Sequence, residues 1–247
     1  MFFALVCSKI LTLSISEINS ILIKKILKLT LPPLLMFPVF WIYLRITYLK
    51  QGARLGNSKN SNFLFDGQDS LFKSTLLETK LYGEYGCGKS TKWVLNNTDS
   101  KILAVDTSKH WVNEVLDDNK DNNIRLDIKY IDVGEVVFMG YPKSYNKQEV
   151  FSDYTNWIWE QSKKPDTVLI DGRFRVCCFL TSLKLADEGT RIIFDDYIGR
   201  PHYHIVEKFI DRKEICGRQC LFIVPKLDEI DLVGLDAEII NFRHVMN

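Results

Sequence analysis

Between about residues 76 and 226 the chain alternates short, mostly apolar runs with longer stretches whose apolar residues recur every three or four positions. The runs end at Tyr85 or cover residues 101–106, 126–131, 167–171, 191–196 and 220–224. The stretches between them predict helices over residues 90–97, 108–116, 148–161, 175–186 and 202–210. In the second of these, Trp111, Val112 and Val115 share a face; in the third, Tyr154, Trp157 and Ile158 do. Apolar runs without polar alternation are strands covered on both faces, and their alternation with helices predicts an α/β protein with a doubly wound, mostly parallel sheet. Such sheets bind ligands at the carboxyl ends of their strands. Glu84, Asp106, Asp171, Asp195 and Asp196 all fall at predicted strand ends, which places them along one rim.

The first fifty residues have a different pattern. Residues 29–49 read LTLPPLLMFPVFWIYLRITYL, with Arg45 as the one charge. That length matches the roughly 20 residues of a bilayer span, and Trp41, Tyr43 and Tyr48 suit an interface, although Pro32, Pro33 and Pro38 interrupt a helix. The stretch before it is amphipathic and carries Lys24, Lys25 and Lys28. The expectation is an N-terminal hydrophobic segment over 1–50 attached to a membrane as a single pass or peripherally, a linker over 51–75, the alternating domain over 76–226 and a tail over 227–247. A net charge of +1 with no basic block argues against a nucleic-acid partner. None of the six cysteines forms a C-x-x-C pair, so buried free thiols are expected rather than a zinc site.

Residues 83–90, GEYGCGKS, have two readings. As G-x-x-x-x-G-K-S they match the phosphate loop of nucleotide triphosphatases, with Lys89 on phosphates and Ser90 on magnesium. That reading leaves Tyr85 inside the loop, puts the Glu84 carboxylate beside phosphates and gives Asp106 no task. As E-x-G-x-G, the turn is Gly86-Cys87-Gly88, Glu84 faces a ligand ammonium group, and Asp106 takes ribose hydroxyls. An acid-lined site suits a cationic sulfonium better than a triphosphate.

EYGCG and ILAVD resemble the first two motifs of class I S-adenosylmethionine-dependent methyltransferases, a resemblance that runs over residues 80–225. The string DGRFRV…FDDY resembles an uncharacterised methyltransferase-like subgroup. The resemblance implies a seven-stranded Rossmann-like sheet with S-adenosylmethionine held by Glu84, Gly86, Cys87, Gly88, Asp106, Thr107 and Asp132, the last two near the adenine. Ser90 departs from the family's usual third small residue. A nicotinamide-binding fold would need glycine where Thr91 stands.

Metal-dependent O-methyltransferases of the catechol type place one Asp after the fourth strand and an acidic pair after the fifth, and Asp171, Asp195 and Asp196 are similar in position. Their oxygens would suit Mg²⁺; the same residues could equally serve as turn caps. Without metal, Asp171, His202 or His204 is the candidate base. Arg173 and Arg175 either clamp an anion or pair with the rim acids. The function expected is methylation of a hydroxyl on a small molecule or glycan. The rival readings are a P-loop hydrolase and a methyltransferase-like module that binds without transferring.

Overall fold

The computed structural model describes residues 64–119 and 124–246. The expected membrane segment over 29–49 lies outside them, and no described helix is long and apolar enough to cross a membrane. The described elements are α1 (Ser70–Leu77), β1 (Leu81–Tyr85), α2 (Lys89–Asn97), β2 (Lys101–Asp106), α3 (Lys109–Asp118) and β3 (Leu126–Tyr130). They continue with α4 (Phe151–Asn156), β4 (Thr167–Ile170), α5 (Arg175–Leu185), β5 (Arg191–Phe194), β6 (Glu214–Cys216), β7 (Gln219–Ile223) and α6 (Leu232–Phe242).

The seven strands form one sheet in the order β3-β2-β1-β4-β5-β7-β6. β1 to β5 pair in parallel, while β7 runs antiparallel to both neighbours. The central strands are buried on both faces, which is why they read as unbroken apolar runs. β3 is one edge, and its residues alternate in burial.

Side-chain alternation divides the sheet into two cores. Tyr82, Ile102, Ala104, Leu169 and Ile193 face one cluster with residues of α1, α2 and α3. Tyr85, Leu103, Val105, Val168, Ile170, Ile192 and Phe194 face the other, with residues of α4, α5 and α6. Three local differences from the sequence expectation have local causes. Residues 148–159 are an α-helix only over α4, with 3₁₀ turns at either end. Residues Pro201–Lys208 form a 3₁₀ helix opened by Pro201. β6 is three residues long and only half-buried at best, too short to show a pattern. At the domain margins, α1 buries Leu71, Phe72 and Leu76 within the stretch that composition assigns to a linker. In the stretch expected as a tail, α6 is capped by Asp231 and packs Leu235, Ile239 and Phe242 into the core.

Parallel registration brings Tyr85, Ile170 and Phe194 level, with Tyr85 beside Val105. The ladder continues past the strand ends: Gly86 N donates to Val105 O (2.9 Å), Asp171 N to Tyr85 O (3.1 Å) and Asp195 N to Ile170 O (3.0 Å). The loops after β1 and β4 then meet backbone to backbone. A Cβ on Gly172 would lie 2.8 Å from Gly86 N and would overlap the Tyr154 hydroxyl, and a Cβ on Gly86 (φ +90°) would lie 2.6 Å from Gly172 Cα. Backbone is on the other side of both contacts, so relief requires moving the loops. Gly172→Ala is therefore expected to lower unfolding free energy by about 1–3 kcal/mol. Gly199→Ala, where an added Cβ meets no atom within 4 Å, should stay within about 0.5 kcal/mol. Urea unfolding of the two variants checks the contrast, and equal losses would contradict it.

Candidate functional site

The glycine turn rests on a buried acid. Glu84 shares the face of Tyr82, toward α2, and is fully buried. Its carboxylate accepts from the Ser90 hydroxyl and from Thr91 Oγ1 (2.5 Å), both in the first turn of α2. Thr91 Oγ1 in turn accepts from the amide of Gly88 (2.9 Å). Burial pushes the Glu84 carboxyl up to about 7, against the pull of those hydroxyls. Glu84 therefore fastens the strand to the helix and does not face a ligand ammonium group, a correction that follows from the strand's period of two.

The amides of the turn are already bonded to protein. Gly86 N reaches Val105 O, Cys87 N reaches Asp106 Oδ2 (2.9 Å), and Gly88 N reaches Thr91 Oγ1. A phosphate loop needs such amides free and a serine hydroxyl for magnesium. Here the Ser90 hydroxyl is spent on Glu84, so GEYGCGKS does not form that cradle.

Asp106 ends β2 and is buried, with Oδ1 accepting from Ser108 N (2.6 Å). Burial raises its pKa while the amides of Ser108 and Cys87 pull it down. Each carboxylate oxygen keeps a second lone pair, so ribose hydroxyls are still within its capacity. Cys87 is buried beside it, its thiol pushed up by desolvation. Thr107 is buried and donates to Gly140 O (2.8 Å), fastening the loop after β3 over the end of β2. Asp132 is exposed and paired with Lys147 (2.5 Å), which holds its carboxyl below the usual range. Each of these two residues thus has a protein partner, Gly140 for Thr107 and Lys147 for Asp132.

At the other end of the rim, one oxygen from each of Asp171, Asp195 and Asp196 can be chosen so that all three lie within 4.8 Å of one another. Arginines occupy the spaces between them. Arg175, itself buried, reaches Asp171 Oδ1 (2.9 Å) and Asp196 Oδ2 (3.2 Å). Arg200 reaches Asp196 Oδ2 (2.6 Å). Arg218 donates through Nε to Asp195 Oδ1 (3.0 Å), and its Nη2 approaches Oδ2 at 2.7 Å but out of line for a hydrogen bond. Burial and the charge of Asp171 push Asp195 up to about 8, with Arg218 opposing. Burial also raises Asp171, against Arg175. For Asp196 burial is outweighed by Arg175, Arg218 and Arg200, which hold it low. Three guanidiniums already neutralise three carboxylates, so this donor set does not fit Mg²⁺, and the expected metal role is withdrawn. Asp171–Arg175 and Asp196–Arg200 are spaced i,i+4 but involve loop residues, where that spacing implies no contact, and the Arg218 contact crosses from β5 to the β6–β7 turn, so none of these pairs was fixed by spacing.

The candidate histidines have other neighbours. His204 Nε2 lies 3.1 Å from Tyr197 O, and its ring sits near Glu207 and Arg212. His202 is exposed and packs edge-on against Tyr203. Burial, Arg200 and His204 lower the pKa of His202. Asp171, partly exposed and held by Arg175 alone among the three arginines, is the acid best placed to exchange a proton.

Glu84 sets an expected pH dependence. Its folded pKa, about 7, lies above the ordinary 4.5. Its contribution is complete below about pH 4.5 and is lost as pH rises through 7, amounting to about 3 kcal/mol. Urea unfolding from pH 4.5 to 8 should show that decline in the wild type and a flatter profile in Glu84→Gln; identical slopes would show that Glu84 ionises normally.

No protein-family model matches the sequence, and no curated protein matches it. Among solved structures, the chain is similar to a methyltransferase-like protein from Silicibacter pomeroyi, with 26% identity, a TM-score of 0.64, and coverage of 72% of this chain and 94% of that one. An O-methyltransferase from Bacillus cereus in complex with S-adenosylhomocysteine matches at 12% identity and a TM-score of 0.46, covering 72% and 90% of the two chains. The N-methyltransferase NodS from Bradyrhizobium japonicum, also in complex with S-adenosylhomocysteine, matches at 12% and 0.43, covering 66% and 88%. At those distances neither bears on the substrate. The strand order, the antiparallel β7 and the similarity to the Silicibacter protein agree: the chain has the class I methyltransferase fold.

Proposed function

We propose that this domain transfers a methyl group from S-adenosylmethionine to a hydroxyl on a small molecule or glycan, and that the chain is held at a membrane through residues 29–49. The observation that carries the first part is the glycine turn itself. Its amides are satisfied by protein, and the buried carboxylate of Asp106 stands beside it with lone pairs to spare. That environment suits a ribose and a cationic sulfur and disfavours a polyphosphate. A Cβ at Gly88 would meet no atom within 4 Å, so there is room outside the turn.

The bound cofactor supplies an electrophilic methyl on sulfonium sulfur. Asp106 accepts the ribose hydroxyls. Gly86 and Gly172 keep the loop after β4 within van der Waals reach of the turn, and this holds Asp171 at the acceptor side. The Asp171 carboxylate would take the hydroxyl proton as the acceptor oxygen bonds the methyl carbon and the carbon–sulfur bond breaks, the sulfonium leaving as a neutral thioether, and its raised pKa favours holding that proton. Arg175 orients it through Oδ1 and through its main-chain carbonyl (2.8 Å). The membrane proposal is carried by the apolar length of residues 29–49, with one charge.

S-adenosylhomocysteine should raise the melting temperature of the full chain, and Mg²⁺–ATP should not; the reverse would restore the nucleotide reading. With a methyl-accepting extract, Asp171→Asn should lower turnover about a hundredfold while leaving S-adenosylhomocysteine affinity unchanged. EDTA should leave turnover as it was. Unaltered turnover in Asp171→Asn would remove its role as base. Separately, the full-length chain expressed in cells should sediment with membranes and resist extraction at high salt, and recovery in the soluble fraction would end the membrane proposal.

A further inference from the structure

Four arginines lie along the rim, and one of them holds no acid. Arg175, Arg200 and Arg218 each bind carboxylates of the Asp171, Asp195 and Asp196 cluster. Arg173 is only 6% exposed, and its Nε has no hydrogen-bond partner. Among the described residues no carboxylate lies within ion-pair distance of it. Its guanidinium lies over the ring of Tyr141, 4.2 Å from the centroid, and its amide donates to the Tyr154 hydroxyl (3.2 Å). Asp106 lies close enough for the Arg173 charge to act on it but makes no ion pair with it, its oxygens accepting amides instead, and the rim triad belongs to the other arginines.

A buried guanidinium bonded to no carboxylate is costly, and the cost is offset when an anion arrives within hydrogen-bond reach. A second feature marks the same place. Arg173 stands two residues before the eleven-residue helix α5, whose first turn has no intrahelical acceptors for its amides and carries the positive end of the helix dipole. We propose that Arg173 is the anion-binding residue of this rim and takes a carboxylate or phosphate carried by a ligand. Its planar fork matches either group. The ring of Tyr141, on the loop that Thr107 holds, fixes the plane of that fork.

The anion can come from the amino-acid end of the cofactor or from the acceptor. Calorimetry on the full-length chain separates the two sources with three probes: S-adenosylhomocysteine, 5′-methylthioadenosine, which lacks the carboxylate, and inorganic phosphate. If Arg173→Gln weakens S-adenosylhomocysteine about tenfold or more and leaves 5′-methylthioadenosine unchanged, Arg173 binds the cofactor's carboxylate. If both nucleosides bind as before but phosphate binding to the wild type is lost in the variant, the acceptor brings the anion. If Arg173→Gln alters neither S-adenosylhomocysteine nor phosphate binding, or if the wild type binds neither, the proposal is overturned. A wild type that binds phosphate but no nucleoside would sink the methyltransferase reading alone. Should Arg173→Gln fail to fold, Arg173→Lys keeps the charge without the fork; a partial loss on the same probes then supports the proposal, and unchanged binding overturns it.

Discussion

The contact between Gly86 and Gly172 sets the geometry of everything at the rim. Parallel strands leave their following loops side by side, but ordinary residues would hold those loops apart by the thickness of a side chain. Here two positions without a Cβ let the loops after β1 and β4 touch through main-chain atoms, with the Tyr154 hydroxyl filling the remaining space. Arg175 reinforces the arrangement by donating to the carbonyls of Asp171 and Gly172 (2.8 and 3.0 Å) and to that of Asp195 (3.0 Å). One buried cation thus ties the ends of β4 and β5 together, and the glycine contact ties β4 to β1. The position of Asp171 relative to the turn is consequently a property of the folded chain and needs no ligand to establish it.

Glu84 performs the matching task on the opposite face of the sheet. A carboxylate under the first turn of a helix is favoured by the local dipole, and two hydroxyls and a main-chain amide are organised around it in sequence: Gly88 to Thr91 to Glu84, with Ser90 alongside. The network fixes where α2 begins. It also occupies the Gly88 amide and the Ser90 hydroxyl, two donors that a phosphate loop uses, so the preference against a polyphosphate comes from how the turn is held together and not from a repulsive charge facing outward.

Much of this was legible in the chain. The central strands are buried on both faces and therefore uniformly apolar, so their ends could be read to within a residue or two, and with them the line of acids. Period-two alternation also placed Glu84 on the face of Tyr82, toward the helix that follows, although a reading fixed on strand ends alone takes it for a ligand contact. β6 was beyond reach because three residues carry no pattern, whereas α6 carries Leu235, Ile239 and Phe242 at helical spacing within a stretch that composition assigns to a tail. Asp132 and Thr107 were placed by analogy with the ends of neighbouring strands. Their partners, Lys147 and Gly140, lie fifteen and thirty-three residues away on an irregular loop, and no periodicity reports such contacts.

The acidic cluster shows why residue type at a strand end does not by itself specify a metal. Three carboxylates packed together must be neutralised, and a divalent cation or guanidinium groups can do so. A cation entering here would have to displace Arg175, which is buried and bonded to two of the acids and three main-chain carbonyls. Removing one partner from a buried ion pair leaves the other uncompensated, at a cost of about 3–5 kcal/mol, and a hard ion would have to offset that before gaining anything from its oxygens. Arginine also fixes the carboxylates in a plane, which a freely hydrated ion does not. With the triad bonded to its own arginines, Arg173 remains the rim arginine that pairs with no carboxylate, although acids outnumber arginines along the strand ends.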